Sequence, residues 1–397
     1  MLHLVGLCTK PASIRTPSLA KPKYSVPSPY IQPMGNSLIQ RTDISMTHPG
    51  FPRRTGITTI ALTAVAAALA LSACSPRSPA NEAETASTAQ GASALLPEGE
   101  GTTQYPLTLE TPFGETVLDE RPERVAVVSA VGVDTESLLA LDAVPVFAVA
   151  KYDGEDPWLP KDLWEQVEFT EQGDAGEEIS AEAIAASKPD LIVNLQAYET
   201  FDQDRFNQLS QIAPVFYADA EETTWQDVLT SLGETLDLRD TAASKIAEFD
   251  DRVEAIKADN PDFAGKTISL VNVYSREYGA SYETLPETDT AAIFESLGFK
   301  LPENAYKFPE DGYGEISDEM VGLIDAVLVL VGILGDSGAY FTDQPLFKQV
   351  PAVSEGRAVI TEGDEAQDFT WGLTRAGILG KLWALDTFED LANQALS

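Results

Sequence analysis

The chain has 397 residues, 44% of them hydrophobic, enough to bury one large core or two moderate ones, and a formal net charge of −37 that disfavours nucleic acid as a partner. Both histidines, His3 and His48, and one of the two cysteines, Cys8, lie far upstream of the first folded element. The folded part can therefore build no Ser-His or Cys-His nucleophile pair, no disulfide and no histidine-ligated zinc or haem, a pattern of binding rather than catalysis.

From Met46 the chain reads "MTHPGFPRRTGITTIALTAVAAALALSAC". Arg53 and Arg54 precede an apolar run from Ile57 to Leu71, which is shorter than the roughly 20 residues of a membrane-spanning helix and predicts a secretory signal. "LSAC" resembles a bacterial lipobox, which implies a diacylglycerol on the Cys74 thiol and Cys74 as the mature N-terminus. Residues 1–73 are then leader and signal peptide, with Met46 as the expected start. Removing them takes away seven basic residues and one acid and leaves a formal charge of −43, a field that favours a neutral or cationic ligand over a polyanion. Residues 74–104, rich in Ser, Ala, Glu, Pro and Gly, predict a disordered tether.

The first folded region, residues 105–235, alternates short β-branched runs with helical patterns. "RVAVVSAV" (124–131) and "PVFAVA" (145–150) predict strands around a helix at 134–144. Next comes "ISAEAIAASKPDLIV" (179–193): Ser180 as a helix N-cap, Glu182 exposed in the first turn, a turn at "KPD" and a buried strand. A helix at 203–213 and the strand "PVFYAD" follow. Such alternation predicts a parallel sheet with helices on its faces.

From Thr224 to Ala258 the pattern is helical throughout, with Ile246, Phe249, Val253 and Ile256 on one apolar stripe. Residues 236–262 are expected to form a stiff helix between two lobes that move little against each other. Alternation resumes with "TISLVNVY" (267–274) and continues through a second lobe, residues 263–397.

The two lobes echo one another. "ISDEMVGLIDAVLVL" (316–330) lines up with 179–193 at an offset of 137 positions, and Asp134-Thr135 pairs with Asp289-Thr290. The expected fold class is α/β: two similar Rossmann-like lobes with parallel sheets, joined by one long α-helix, with a ligand cleft between them. Each lobe carries an acid at the same helix tip, Glu182 and Glu319. A helix dipole rewards such an acid by about 0.3–1 kcal/mol, which explains one of them better than a matched pair.

Ligands of open α/β sheets sit past the C-terminal strand ends. There the second lobe supplies Tyr274, Arg276, Tyr278 and Tyr282, with Tyr340 and Trp371 later in the chain; the first lobe supplies Tyr152, Trp158 and Tyr198. One aromatic alone is more often packing, but recurrence at strand ends marks a cleft. Arg276, a scarce cation between tyrosines, could donate to ligand oxygens, against the competing reading of an ion pair with Glu277 or Glu283.

The motifs "RPERVAVVSAVGVDTESLLALDAVPVFAVA", "ISAEAIAASKPDLIV", "TISLVNVYSREYGAS" and "QPLFKQVPAVSEGRAVI", in this order, resemble the substrate-binding components of ABC importers for ferric siderophores, haem and cobalamin. The resemblance runs from about Pro106 to the C-terminus. It implies a monomer, lipid-anchored on the outer face of the cell membrane, that captures a ferric siderophore and docks onto arginines of a dimeric permease through Glu182 and Glu319. Iron would arrive already chelated, so neither a cofactor nor a metal-ligand set is implied. Tyr198 matches a tyrosine of hydroxamate-siderophore binders, and "GDAGEE" (173–178) lacks the arginine of some family members. Both favour a hydroxamate over a tris-catecholate. Haem or cobalamin is the alternative ligand, and a surface lipoprotein binding a protein partner is the reading from another class.

Overall fold

The computed structural model describes residues 95–129, 132–149, 156–171, 179–197, 201–220, 223–308, 314–335 and 337–396, with the backbone of a two-residue strand at 13–14. Cys74 and the leader and tether expectations up to residue 94 otherwise lie outside the described residues. Among the described residues no helix is long and apolar enough to cross a membrane.

The first lobe is built on five parallel strands: Val125–Val127, Phe147–Val149, Phe169–Glu171, Leu191–Ala197 and Val215–Asp219. In space they run third, second, first, fourth, fifth, so the order reverses between the first and fourth strands. Side-chain anchors explain that pairing. The Asp190 carboxylate accepts from the backbone N–H of Glu123 and of Arg124, both at 2.8 Å, and so ties together the starts of the two central strands. Lys188 takes φ of 52° in the turn just before, while Arg124 donates to the carbonyls of Ser187 and Lys188.

The second lobe has four strands, Ile268–Val273, Ala280–Tyr282, Leu328–Ile333 and Ala358–Glu362, in the spatial order second, first, third, fourth. Its sheet departs from the all-parallel expectation, because Ala280–Tyr282 runs antiparallel to Ile268–Val273. The connection is a short turn closed by Gly279 at φ of 74°, far too short for the crossover that a parallel pair requires.

The helical stretch from Thr224 splits in two, Trp225–Thr235 and Arg239–Asp259. Asp237 turns the chain at φ of 56°, and at Gly233 the helices pass so closely that a Cβ would stand 2.5 Å from that of Ala242. The second helix is roughly 30 Å long. Phe249, Val253 and Ile256 of its stripe are buried and Ile246 is partly so. One hydrophobic cluster spans both lobes, from Val125 and Val193 in the first past Phe249 to Leu270, Leu328 and Phe388 in the second, and each lobe packs a further cluster of its own. The lobes are held together by shared side-chain packing as well as by the helix.

The polar segment that the sequence assigns to the tether becomes structured by Leu95. Leu96 is buried, and the backbone N–H groups of Gly101, Thr102 and Thr103 each lie 2.7 Å from the Asp237 carboxylate. In return Glu100 accepts from the backbone N–H of Asp240 and Thr241 and caps the interlobe helix, which has no cap of its own. Reciprocal capping, rather than apolar content, orders this strap.

Candidate ligand-binding site

The order reversal of the second sheet lies between Ile268–Val273 and Leu328–Ile333, and the loops leaving these strands meet. Gly335 sits so close to the neighbouring loop that a Cβ there would stand 2.8 Å from the Tyr274 carbonyl carbon and 2.9 Å from the Ser275 nitrogen. Past this contact Ser275, Arg276, Ser337 and Tyr340 line a pocket of about 300 Å³. The Arg276 guanidinium lies 5.5 Å from the centre of the Tyr340 ring, within cation–π range. Tyr340 donates its hydroxyl to the Gly279 carbonyl. Burial raises the pKa of that phenol while Arg276 opposes the rise, so the ring stays neutral.

Arg276 is exposed, and among the described residues no carboxylate lies within ion-pair distance of it. Of Glu277 and Glu283, the partners that the competing reading gave it, Glu277 is exposed and forms no ion pair with it among the described residues, and Glu283 is engaged elsewhere. It accepts from Ser281, and burial raises its pKa against the opposing influence of Ser281, Asn272 and Arg375. The pocket thus presents a cation flanked by two serine hydroxyls and a phenol.

The other expected site residues divide. Tyr278 is 51% exposed and Tyr274 half-buried, both on the loop that carries Arg276. Tyr282 is a correction: its antiparallel strand turns it into the core, where it is 0% exposed, hydrogen-bonds Ser269 and stacks on Phe308 at 4.1 Å. Such a side chain has no surface to offer a ligand. Trp158 packs between helices against Trp383, with ring centroids 5.5 Å apart, and beside Gly380. Trp371 is half-buried under Arg375, whose guanidinium carbon lies 5.9 Å from the ring. Neither tryptophan lines the pocket. Tyr152 and Tyr198 lie outside the described residues. Ser275 and Ser337 were missed, since serines near a strand end carry no distinguishing signal in one sequence.

Glu182 is exposed in the first turn of the helix Ala181–Ala186, whose N-cap Ser180 accepts from the Ala183 N–H. Glu319 is also exposed, but its helix shrinks to a turn and the 3₁₀ segment Val321–Ile324. Local geometry persists nonetheless: Ser180 Oγ lies 3.2 Å from Glu182 Oε2, and Ser317 Oγ lies 3.4 Å from Glu319 Oε2.

Residues 127–365 match the family model described as periplasmic binding protein. The chain belongs to this family. Among its relatives is YfiY of Bacillus subtilis, a probable siderophore-binding lipoprotein, 31% identical over 281 residues that cover 68% of this chain and 82% of that protein. The fold matches a periplasmic solute binding protein of Mycobacterium smegmatis with a TM-score of 0.62 at 23% identity, over 73% of this chain and 98% of the other. It also matches SirA of Staphylococcus aureus in complex with staphyloferrin B, with a TM-score of 0.59 at 22% identity, over 72% of this chain and 98% of that one. The family resemblance and the two-lobed α/β fold expected from the sequence are thus established.

Proposed function

We propose that this family member is the extracytoplasmic binding component of an ABC importer and captures a ferric siderophore at the interlobe face of its second lobe. The observation that carries this reading is Arg276: a cation free of carboxylate partners among the described residues, stacked on Tyr340, at the order reversal of an open α/β sheet. A guanidinium there donates to the metal-bound oxygens of a chelate, and the serine hydroxyls donate or accept around it. The ligand named for the probable siderophore-binding relative supports the same class. Iron comes and goes inside its chelator as cargo.

Within that class we favour hydroxamate siderophores. One arginine among the described residues of the pocket and a strongly acidic body suit a neutral or cationic complex better than a highly anionic one. Glu182 and Glu319 are the proposed contacts to arginines of the permease, since each offers an exposed carboxylate to a bidentate guanidinium. Cys74 is the proposed lipid anchor, holding the protein at the outer face of the cell membrane, and the working form is proposed to be a monomer. Tryptophan-fluorescence titration with ferrioxamine, ferrichrome, a ferric tris-catecholate, haem and cobalamin tests the reading. Saturable binding of a ferric hydroxamate ahead of the others is expected; tighter binding of the tris-catecholate overturns the hydroxamate assignment, and binding of haem or cobalamin alone overturns the siderophore assignment.

A further inference from the structure

The helix Val133–Ala140 of the first lobe is buried on every side, and it carries an acid, Glu136, that is 4% exposed. That carboxyl reaches across to the second lobe. Its Oε2 accepts from the backbone N–H of Gly377 at 2.9 Å and of Gly380 at 3.3 Å, the free donors at the start of the terminal helix Ile378–Leu396. The lobes touch closely there and leave little room for a side chain. A Cβ on Gly377 would stand 3.2 Å from both the Glu136 Cβ and the Val133 carbonyl oxygen, and one on Gly380 would stand 3.1 Å from the Trp158 ring.

Charged and titratable groups surround this contact. Asp156 and Trp158 come from the first lobe, and Lys381, Asp368, Asp364 and Asp289 from the second. Lys381 is 2% exposed and donates to the Leu373 carbonyl at 2.9 Å. Burial lowers its pKa, while Asp289 and Glu136 oppose that fall. Burial and then Asp368 push Asp156 up to about 6, and burial with Asp364 raises Asp368. The buried Trp158 Nε1 has no partner of hydrogen-bonding geometry, yet stands close enough to Glu136 to favour its anion.

We propose that Glu136 is a titratable pin between the lobes: while it holds its proton it seats the start of the terminal helix against the first lobe, and opening that seat releases the proton. Trp158, two backbone donors and Lys381 favour the anion at this position, whereas enclosure away from water and the neighbouring Asp156 oppose it. Enclosure wins, and the group is pushed up to about 8. The sign follows from linkage. Below the ordinary value of 4.5 the closed and open forms bind the same proton; from there up to about 8 the closed form alone keeps it, so closure weakens as pH rises, and above about 8 the loss is complete. Asp156 and Asp368, facing each other from opposite lobes, act in the same direction.

The inference is independent of which ligand the cleft takes, and it is tested without ligand. Protection of the Gly377 and Gly380 amides against hydrogen exchange, corrected for intrinsic rates, is expected to fall about tenfold per pH unit between pH 5.5 and 7.5 and to level off above about pH 8. Glu136→Gln keeps an acceptor for both N–H groups and is expected to show no such slope. The same slope in both proteins overturns the proposal. As a spectroscopic check, fluorescence of Trp158, assigned with Trp158→Phe, should titrate near pH 8 in the parent and not in Glu136→Gln. Persistence of that transition in the variant also overturns it. Should Glu136→Gln fail to fold, Asp156→Asn removes one repelling anion and moves the fluorescence midpoint to lower pH; an unmoved midpoint counts against the pin.

Discussion

Arg276 lies over the Tyr340 ring at 5.5 Å, and the phenol of that ring is tied back to the Gly279 carbonyl in the loop that bears the arginine. The pair is in place without ligand: the tethered ring lies within cation–π range of the guanidinium. Arg276→Ala should therefore weaken binding by about ten- to a hundredfold, the worth of a hydrogen bond to a charged group of roughly 1.5–3 kcal/mol. Thermal stability should hardly change, because the residue is exposed. Arg276→Lys keeps the charge without the planar fork and should fall between the two in a fluorescence titration.

Glu182 and Glu319 both project into solvent away from the core, each beside the serine two positions earlier. A double Glu182→Ala, Glu319→Ala variant should bind its ligand as the parent does and lose uptake in cells. Unchanged uptake would remove these carboxylates from the permease interface.

Gly335 allows two loops to touch backbone to backbone beside the pocket. Gly335→Ala forces them apart, since the atoms in the way are main chain and cannot rotate aside. Ligand affinity should drop severalfold or more, with a modest loss in melting temperature. An affinity equal to the parent's would show that the pocket does not depend on this contact.

Asp237 holds the strap. Burial alone would raise its pKa, but the backbone N–H groups of Thr103, Gly101 and Thr102 outweigh it and hold the carboxyl below its ordinary value of 3.8. Such a group contributes stability that is present above the unfolded pKa and is lost as pH falls through the folded one. Asp237→Asn should cost about 1–3 kcal/mol at neutral pH and flatten the loss of stability below pH 4. Denaturant melts at pH 7 and pH 3 would show the difference narrowing in acid.

Much of this architecture is legible from residue order. The Ser180 cap, the apolar stripe of Phe249, Val253 and Ile256, and the strands at 191–197 and 328–333 follow from spacing and cap chemistry. Where the reading fails, tertiary context decides. "AEAIAA" supports a helix on alanine propensity alone, whereas the matching "DEMVGL" contains Val321 and Gly322 and tightens to a turn and 3₁₀. Tyr282 looked like a rim residue because the turn at Gly279, which sends its strand back into the sheet, cannot be distinguished from a longer loop. Glu136 was invisible for a related reason. An acid in an amphipathic helix is expected to face water, and only the cover of a second lobe on that face makes it interior.

The cluster shared by both lobes, running from Val125 to Phe388, has a consequence for the transport cycle proposed here. A receptor that snaps shut announces its cargo by changing shape. A body whose lobes share side chains across the middle is left with small movements such as the seating of its terminal helix, so in the proposed cycle the permease is expected to tell loaded carriers from empty ones by the chelate itself.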